Sequence, residues 1–247
     1  DCQSVYGLAR EVAAYFKREL KPLALDYTVS VERDETIHVS VEDADLCPRY
    51  IAHDVKDVVV CKSPELIRRR LKMCGHNAIN SIVDITNYVL FELGQPLHAF
   101  DMAKIEGNKI VVKNCAEGTP FVTLDGVERK LSADDLMICS ATRPMCIAGV
   151  FGGADSGISD TTTNVFIESA YFNPVSVRKS AKRHGLNTDS SFRFERGIDP
   201  NMQVYALKRA ALLFKEIAGG TISSQITDIY PTKVEPFRFD FSLSRAK

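Results

Sequence analysis

IAGVFGGADSGISDTTTNVFIESAYF, residues 147–172, opens apolar, turns glycine-rich, passes through hydroxyl residues and ends in a second apolar run. Gly149, Gly152, Gly153 and Gly157 thin the backbone, so that another group can approach it closely. Residues 164–170 then alternate, with Val165 and Ile167 on one face of a strand and Phe166 and Glu168 on the other. A carboxylate therefore stands inside an apolar strand. Two readings fit: a hairpin whose glutamate meets water at a sheet edge, or a pocket with a glycine floor and Glu168 in its wall.

The residues just upstream lead into this stretch as a series of short strands. KIVVKN (109–114) is followed by PFVTLDGVERKL (120–131), where Asp125-Gly126 between β-type runs marks a hairpin, and then by LMICS (136–140) and MCIAGV (145–150), hinged at Arg143-Pro144. Strands in succession predict a mixed or antiparallel sheet that ends in the glycines. Further upstream, residues 4–20 read as an amphipathic helix with Ser4 as N-cap and Pro22 as stop, and residues 36–41 as a strand. An acidic turn at 42–45 precedes a strand in CPRYIAHDV (47–55). Helices are expected from Ser63-Pro64 to Gly75 and over 81–93, the second closed by Gly94, with residues 94–101 as a loop carrying His98.

Downstream, residues 174–184 form a helix closed by Gly185, and residues 186–200 read as a long polar loop. Asp199-Pro200 opens a helix through Ala218, and ISSQITDIY (222–230) is a last strand. Helices and strands in separate runs give an α+β class, with mixed or antiparallel sheets packed with helices around a central pocket. The expected division is residues 1–44 as the end of one domain, 45–230 as the main domain, and 231–247 as a linker plus the start of another strand-led domain.

The 247 residues are 45% hydrophobic and 26% charged with a net charge of −1, an ordinary globular balance that excludes a globally basic nucleic-acid coat. No apolar run approaches the ~18 residues of a membrane span, and no signal-peptide pattern is present, so the chain reads as soluble and cytoplasmic. Its seven cysteines show no C-x₂-C spacing and read as small buried hydrophobes in a reducing compartment, with no metal site expected. Phosphate-binding glycine loops, a G-x-S-x-G elbow, H-E-x-x-H and EF-hand patterns are all missing.

What remains is polar and scattered. His98 in QPLHAF and Asn87 in DITNY fit either structural roles or a polar lining. Arg178, Lys179, Lys182 and Arg183 make two i,i+4 pairs on one helix face, with Arg193 and Arg196 close behind, and fit either a solvated face or a phosphate site. Thr188 to Ser191 supply small hydroxyls suited to a pocket wall or to a hydroxyl-stabilised turn.

IVDITNYVLFELGQPLHAFD, IAGVFGG, VFIESAYF and KRHGLNTDSSFRFERGIDP, in this order, resemble the beta subunit of bacterial phenylalanyl-tRNA synthetase in its central editing module. The resemblance covers about residues 47–230. It implies hydrolysis of tyrosine wrongly attached to the phenylalanine tRNA, with Glu168 accepting the tyrosine phenol proton in a hydrogen bond and Phe166 sharing its face. It also implies that His98, Asn87 and Thr86 line the side near the scissile ester, that Gly149 and Gly152 form the floor, and that Thr188 and Ser190 limit pocket size. Ser190 stands where some members have alanine, and Asn77 where some have arginine. Implied partners are the tRNA, through Arg178, Lys179, Lys182 and Arg183, and a catalytic alpha subunit in an assembly of two alpha and two beta chains. ATP and magnesium are expected only for the complete ligase, and no cofactor for this chain. A non-catalytic tRNA-docking or subunit-scaffolding module is the alternative.

Overall fold

The computed structural model describes residues 2–27, 29 and 37–246. In chain order the elements are α1 (Val5–Tyr15), β1 (His38–Val41), β2 (Arg49–Lys56), α2 (Glu65–Met73), α3 (Ser81–Leu93), β3 (His98–Asp101), β4 (Lys109–Asn114), β5 (Pro120–Val122) and β6 (Glu128–Lys130). There follow β7 (Leu136–Cys139), β8 (Pro144–Ile147), β9 (Phe151–Gly152), β10 (Val165–Tyr171), α4 (Pro174–His184), α5 (Asp189–Phe194), α6 (Met202–Ala218), β11 (Thr221–Ile222), β12 (Thr227–Ile229) and α7 (Leu243–Ala246).

Two sheets carry the fold, and the α+β class is observed. One is mixed, in the order β1-β4-β7-β8-β9, with β1 and β4 parallel and its other pairs antiparallel. The other is antiparallel, in the order β11-β2-β10-β3, with β12 also paired to β2. The alternation in β10 decides how they stack. Val165 and Ile167 enter a core with Ile82, Ile85 and Val89 of α3 and Leu207 and Phe214 of α6. Phe166 and Ala170 enter a second core with Tyr50, Phe100 and the mixed-sheet residues Met137 and Ile147. The antiparallel sheet is thus a middle layer, helices behind it and the mixed sheet in front, and β10 is apolar on both faces because both are covered.

Several boundaries differ from the sequence reading, each for a local reason. His98–Asp101 is a strand rather than loop, because its backbone pairs with β10 from Val165 to Glu168. The polar run 186–200 contains α5, started by a capping box in which Thr188 accepts from the Ser191 amide and Ser191 bonds back. Helix α1 ends at Tyr15, and Lys17 just beyond has φ +52°. Residues 222–230 form two short strands, both on β2, rather than one. Among residues 237–246 no strand forms; Phe237, Phe239 and Phe241 are exposed, since alternation alone makes no strand without a backbone to pair with. The first strand is described from His38, and its expected start at Thr36 lies outside the described residues. Among those residues no helix is long and apolar enough to cross a membrane.

Candidate functional site

Antiparallel pairing sets Glu168 of β10 directly opposite His98 of β3, and Phe166 opposite Phe100. Directly paired residues point to the same face of a sheet, so the carboxyl and the imidazole share the front core. On the other flank Glu168 lies opposite Ala52, which brings Tyr50 of β2 into diagonal reach. The Tyr50 hydroxyl donates to Glu168 Oε2 at 2.9 Å. Tyr50 is fully buried and Glu168 only 5% exposed.

Glu168 has no ion pair among the described residues, and burial in apolar surroundings pushes its carboxyl up to about 8, against a smaller lowering by the Tyr50 hydrogen bond. The thiols of Cys47 and Cys146 feel the Glu168 charge and are themselves held well above their ordinary value, chiefly by burial. At neutral pH this is a protonated acid among neutral groups. His98 packs edge-on to Phe100, ring centroids 4.3 Å apart. Burial lowers its pKa to about 4, so the ring is neutral, and its Nε2 is buried without a hydrogen-bond partner. An unpaired buried nitrogen costs about 1–3 kcal/mol and marks a position where an added polar group would be satisfied.

The glycine stretch lies against these groups. A methyl added at Gly152 would come within 3.0 Å of both His98 Cε1 and Leu124 Cδ1, so glycine makes room for the imidazole and for the tip of the β5–β6 hairpin. Gly149, at φ +70°, turns the chain between β8 and β9, and a methyl there would lie 3.0–3.1 Å from Phe172, Phe194 and Val177. The hydroxyls expected to form a wall are tied to this turn: Thr188 Oγ1 donates to the Val150 carbonyl at 2.9 Å and Ser190 Oγ to the Gly149 carbonyl at 3.3 Å.

The structure therefore brings Glu168, Phe166, His98 and Gly152 together, with Gly149, Thr188 and Ser190 one turn away. Thr86 and Asn87 stand apart on α3, whose apolar face packs behind the sheet; Thr86 donates to the Val83 carbonyl of its own helix. On α4, Arg178, Lys179 and Lys182 are exposed with no ion pair among the described residues. Arg183 instead bonds buried Asp135, which also accepts from Ser180 and pairs with His184, anchoring α4. Arg193 is buried against Phe91 and bonds Asp189, and Arg196 pairs with Glu195, so neither extends the free cationic face.

The sequence reading missed Tyr50, Phe100 and Leu124. Tyr50 and Ala52 alternate in CPRYIAHDV, but only the register of β2 on β10 tells which residue they face. Among the described residues no three His, Cys, Asp or Glu side chains converge to hold a metal ion.

Comparison with known proteins agrees with this architecture. A family model described as the B3/4 domain matches residues 46–219. The phenylalanine--tRNA ligase beta subunit of Bacteroides fragilis is 54% identical over 242 residues, covering 96% of this chain and 30% of that protein. The namesake from Porphyromonas gingivalis is 53% identical over 251 residues, covering 99% and 30%. The chain thus spans about 30% of the length of the curated relatives it matches. A crystal structure of an N-terminal fragment of the phenylalanyl-tRNA synthetase beta-subunit from Pyrococcus horikoshii shares the fold, with a TM-score of 0.52 at 15% identity, over 98% of this chain and 66% of that one. Strands β2, β3 and β10, which hold Tyr50, His98 and Glu168, all fall inside the matched span, and the chain, similar to part of these phenylalanine--tRNA ligase beta subunits, belongs to the B3/4 domain family.

Proposed function

We propose that this chain is the part of a phenylalanine--tRNA ligase beta subunit that hydrolyses tyrosine misattached to the phenylalanine tRNA. The observation that carries the reading is Glu168: a buried carboxyl that, among the described residues, has no ion pair and holds a phenolic hydroxyl at 2.9 Å, beside a neutral imidazole whose Nε2 has no hydrogen-bond partner among those residues. That is the chemistry needed to recognise a tyrosine ring. A pocket shaped for phenylalanine rejects the same ring bearing a hydroxyl only weakly, with about 10² as the comparable discrimination. A second site with a buried polar group selects the error, because phenylalanine leaves that group unpaired.

In this mechanism the ring lies along Phe166, and its hydroxyl bonds Glu168. His98 Nε2 accepts a hydrogen bond from water and holds it at the ester carbonyl, while backbone N–H groups of the Gly149–Gly152 turn stabilise the developing oxyanion. Water oxygen bonds to the carbonyl carbon, the ribose oxygen leaves with a proton, and no covalent enzyme intermediate forms. Thr188 and Ser190 limit the pocket through their grip on the turn, and Thr86 and Asn87, which stand apart on α3, take no part in this step. Arg178, Lys179 and Lys182 contact tRNA phosphates, with Arg183 fixing their helix. Ligation, with ATP and magnesium, belongs to a catalytic alpha subunit in an assembly of two alpha and two beta chains, in the cytoplasm.

The test is deacylation of tyrosyl-tRNA for phenylalanine by this chain. Glu168→Ala should abolish tyrosine clearance while the fold is retained, and clearance at the wild-type rate would overturn the assignment. A non-catalytic tRNA-docking module is the second reading, favoured by the exposed cations of α4; it requires tRNA binding with no response to tyrosine.

A further inference from the structure

Tyr50 is the residue that function has not absorbed. Its hydroxyl, fully buried, has one hydrogen-bond partner among the described residues, Glu168 Oε2. A buried phenol keeps its proton and must donate it, so Oε2 is the accepting, carbonyl-type oxygen of the carboxyl. Oε1 carries no hydrogen bond among the described residues. The groups facing the carboxyl are the Tyr50 phenol from β2, the Cys47 thiol before β2, the Cys146 thiol from β8 and the neutral His98 ring from β3. None is a cation, and a carboxyl buried at 5% exposure without one is favoured as the neutral acid.

We propose that Tyr50 sets the hydrogen-bond polarity of Glu168: by occupying Oε2 it leaves the acid proton on Oε1, so that Glu168 donates to the phenol oxygen of a bound tyrosine instead of accepting from it. This rests on the editing function proposed above, and it reverses the direction of the bond that the family resemblance implies. The raised pKa of Glu168 agrees, because it keeps the donor present at neutral pH. Tyr50 acts through Glu168 and is a positioning residue; without its hydroxyl the carboxyl is free to turn and to present either oxygen.

The measurement is binding of L-tyrosine against L-phenylalanine to the full chain, followed by NMR shifts of the His98 ring, with ¹³C titration of the Glu168 carboxyl as a second readout. Wild type should prefer tyrosine by about ten- to a hundredfold, the effect of one buried donor left unpaired by phenylalanine. Glu168→Gln, whose amide turns its oxygen to Tyr50 and its NH₂ outward, should keep that preference within about threefold, whereas Glu168→Ala loses it. Tyr50→Phe should lower the preference about tenfold and move the Glu168 titration upward. If Glu168→Gln falls to the level of Glu168→Ala, the bond is accepted by a carboxylate and the donor polarity is wrong. An unmoved preference and titration in Tyr50→Phe overturn the positioning role. If wild type shows no preference, or Glu168→Ala retains it, the editing reading itself fails. Should Tyr50→Phe not fold, the Gln and Ala pair still decides the polarity.

Discussion

Replacing Glu168 by glutamine should change how the stability of this protein depends on pH. The folded carboxyl has its pKa raised from 4.5 to about 8, so between those values the folded chain holds a proton that the unfolded chain has released. Folding stability from this group is therefore greatest at low pH and declines as pH rises toward 8. In the steep part of the window the slope is about 1.4 kcal/mol per pH unit, and between about pH 6.5 and pH 8 the wild type loses about 1–2 kcal/mol from Glu168 alone. Glutamine is neutral throughout and accepts the Tyr50 hydrogen bond in the same place. The Cys115 thiol, lowered to about 7 chiefly by the Cys139 hydrogen bond, titrates in the same window with the opposite sign, so the useful quantity is the difference between the two proteins. Urea unfolding at half-unit steps from pH 6.5 to pH 8 should show the glutamine variant gaining about 1–2 kcal/mol on the wild type. Parallel curves would refute the buried, uncompensated acid, and with it the electrostatic basis of the site.

Other substitutions probe separate links. Gly152→Ala pushes a methyl to 3.0 Å from His98 and Leu124, and should slow tyrosyl-ester hydrolysis at least tenfold, measured beside a melt that shifts by only a few degrees. Asp135→Ala leaves Ser180, Arg183 and His184 without their shared acceptor and should cost about 3 kcal/mol in denaturant unfolding, detaching α4. Thr188→Ala removes both the α5 cap and the tether to Val150, a loss of about 1 kcal/mol readable as faster amide exchange in residues 189–194. His53 and His98, each lowered to about 4 by burial, are neutral when folded and protonate on unfolding, so their contribution to stability falls as pH drops from about 6.5 toward 4; Glu168 and Asp54, the latter raised to about 6 by burial, contribute with the opposite sign, so the readable quantity is the difference between proteins, and His98→Gln should gain about 2–3 kcal/mol on the wild type between pH 6.5 and pH 4.

Much of the fold was legible locally. Ser4, Asn80 and Asn173 cap α1, α3 and α4 by side-chain hydrogen bonds, and Gly94, Gly185 and Gly219 close their helices with positive φ, all within a few residues of sequence. The alternation of residues 164–170 separated Glu168 and Phe166 from Val165 and Ile167 correctly, since the period of a strand is a property of its own backbone. Positions 98–101 and 189–194 were read as loop because a four-residue strand and a six-residue helix carry too little periodicity; β10 supplies the missing hydrogen bonds to one, and the Thr188–Ser191 box starts the other.

The site divides in the same way. Sequence alone determined that a glycine-rich turn precedes a strand bearing one carboxylate, and that a histidine follows the helix over 81–93. Tertiary structure decided that β3 and β2 flank β10 in a register that sets His98 opposite Glu168 and Tyr50 within 2.9 Å of it. Register joins residues 118 and 70 positions apart in the chain, and no local propensity encodes such a pairing. The protonation of Glu168 followed from the same step, because a carboxyl's charge state depends on what surrounds it, and its surroundings were assembled only when the two sheets closed over it.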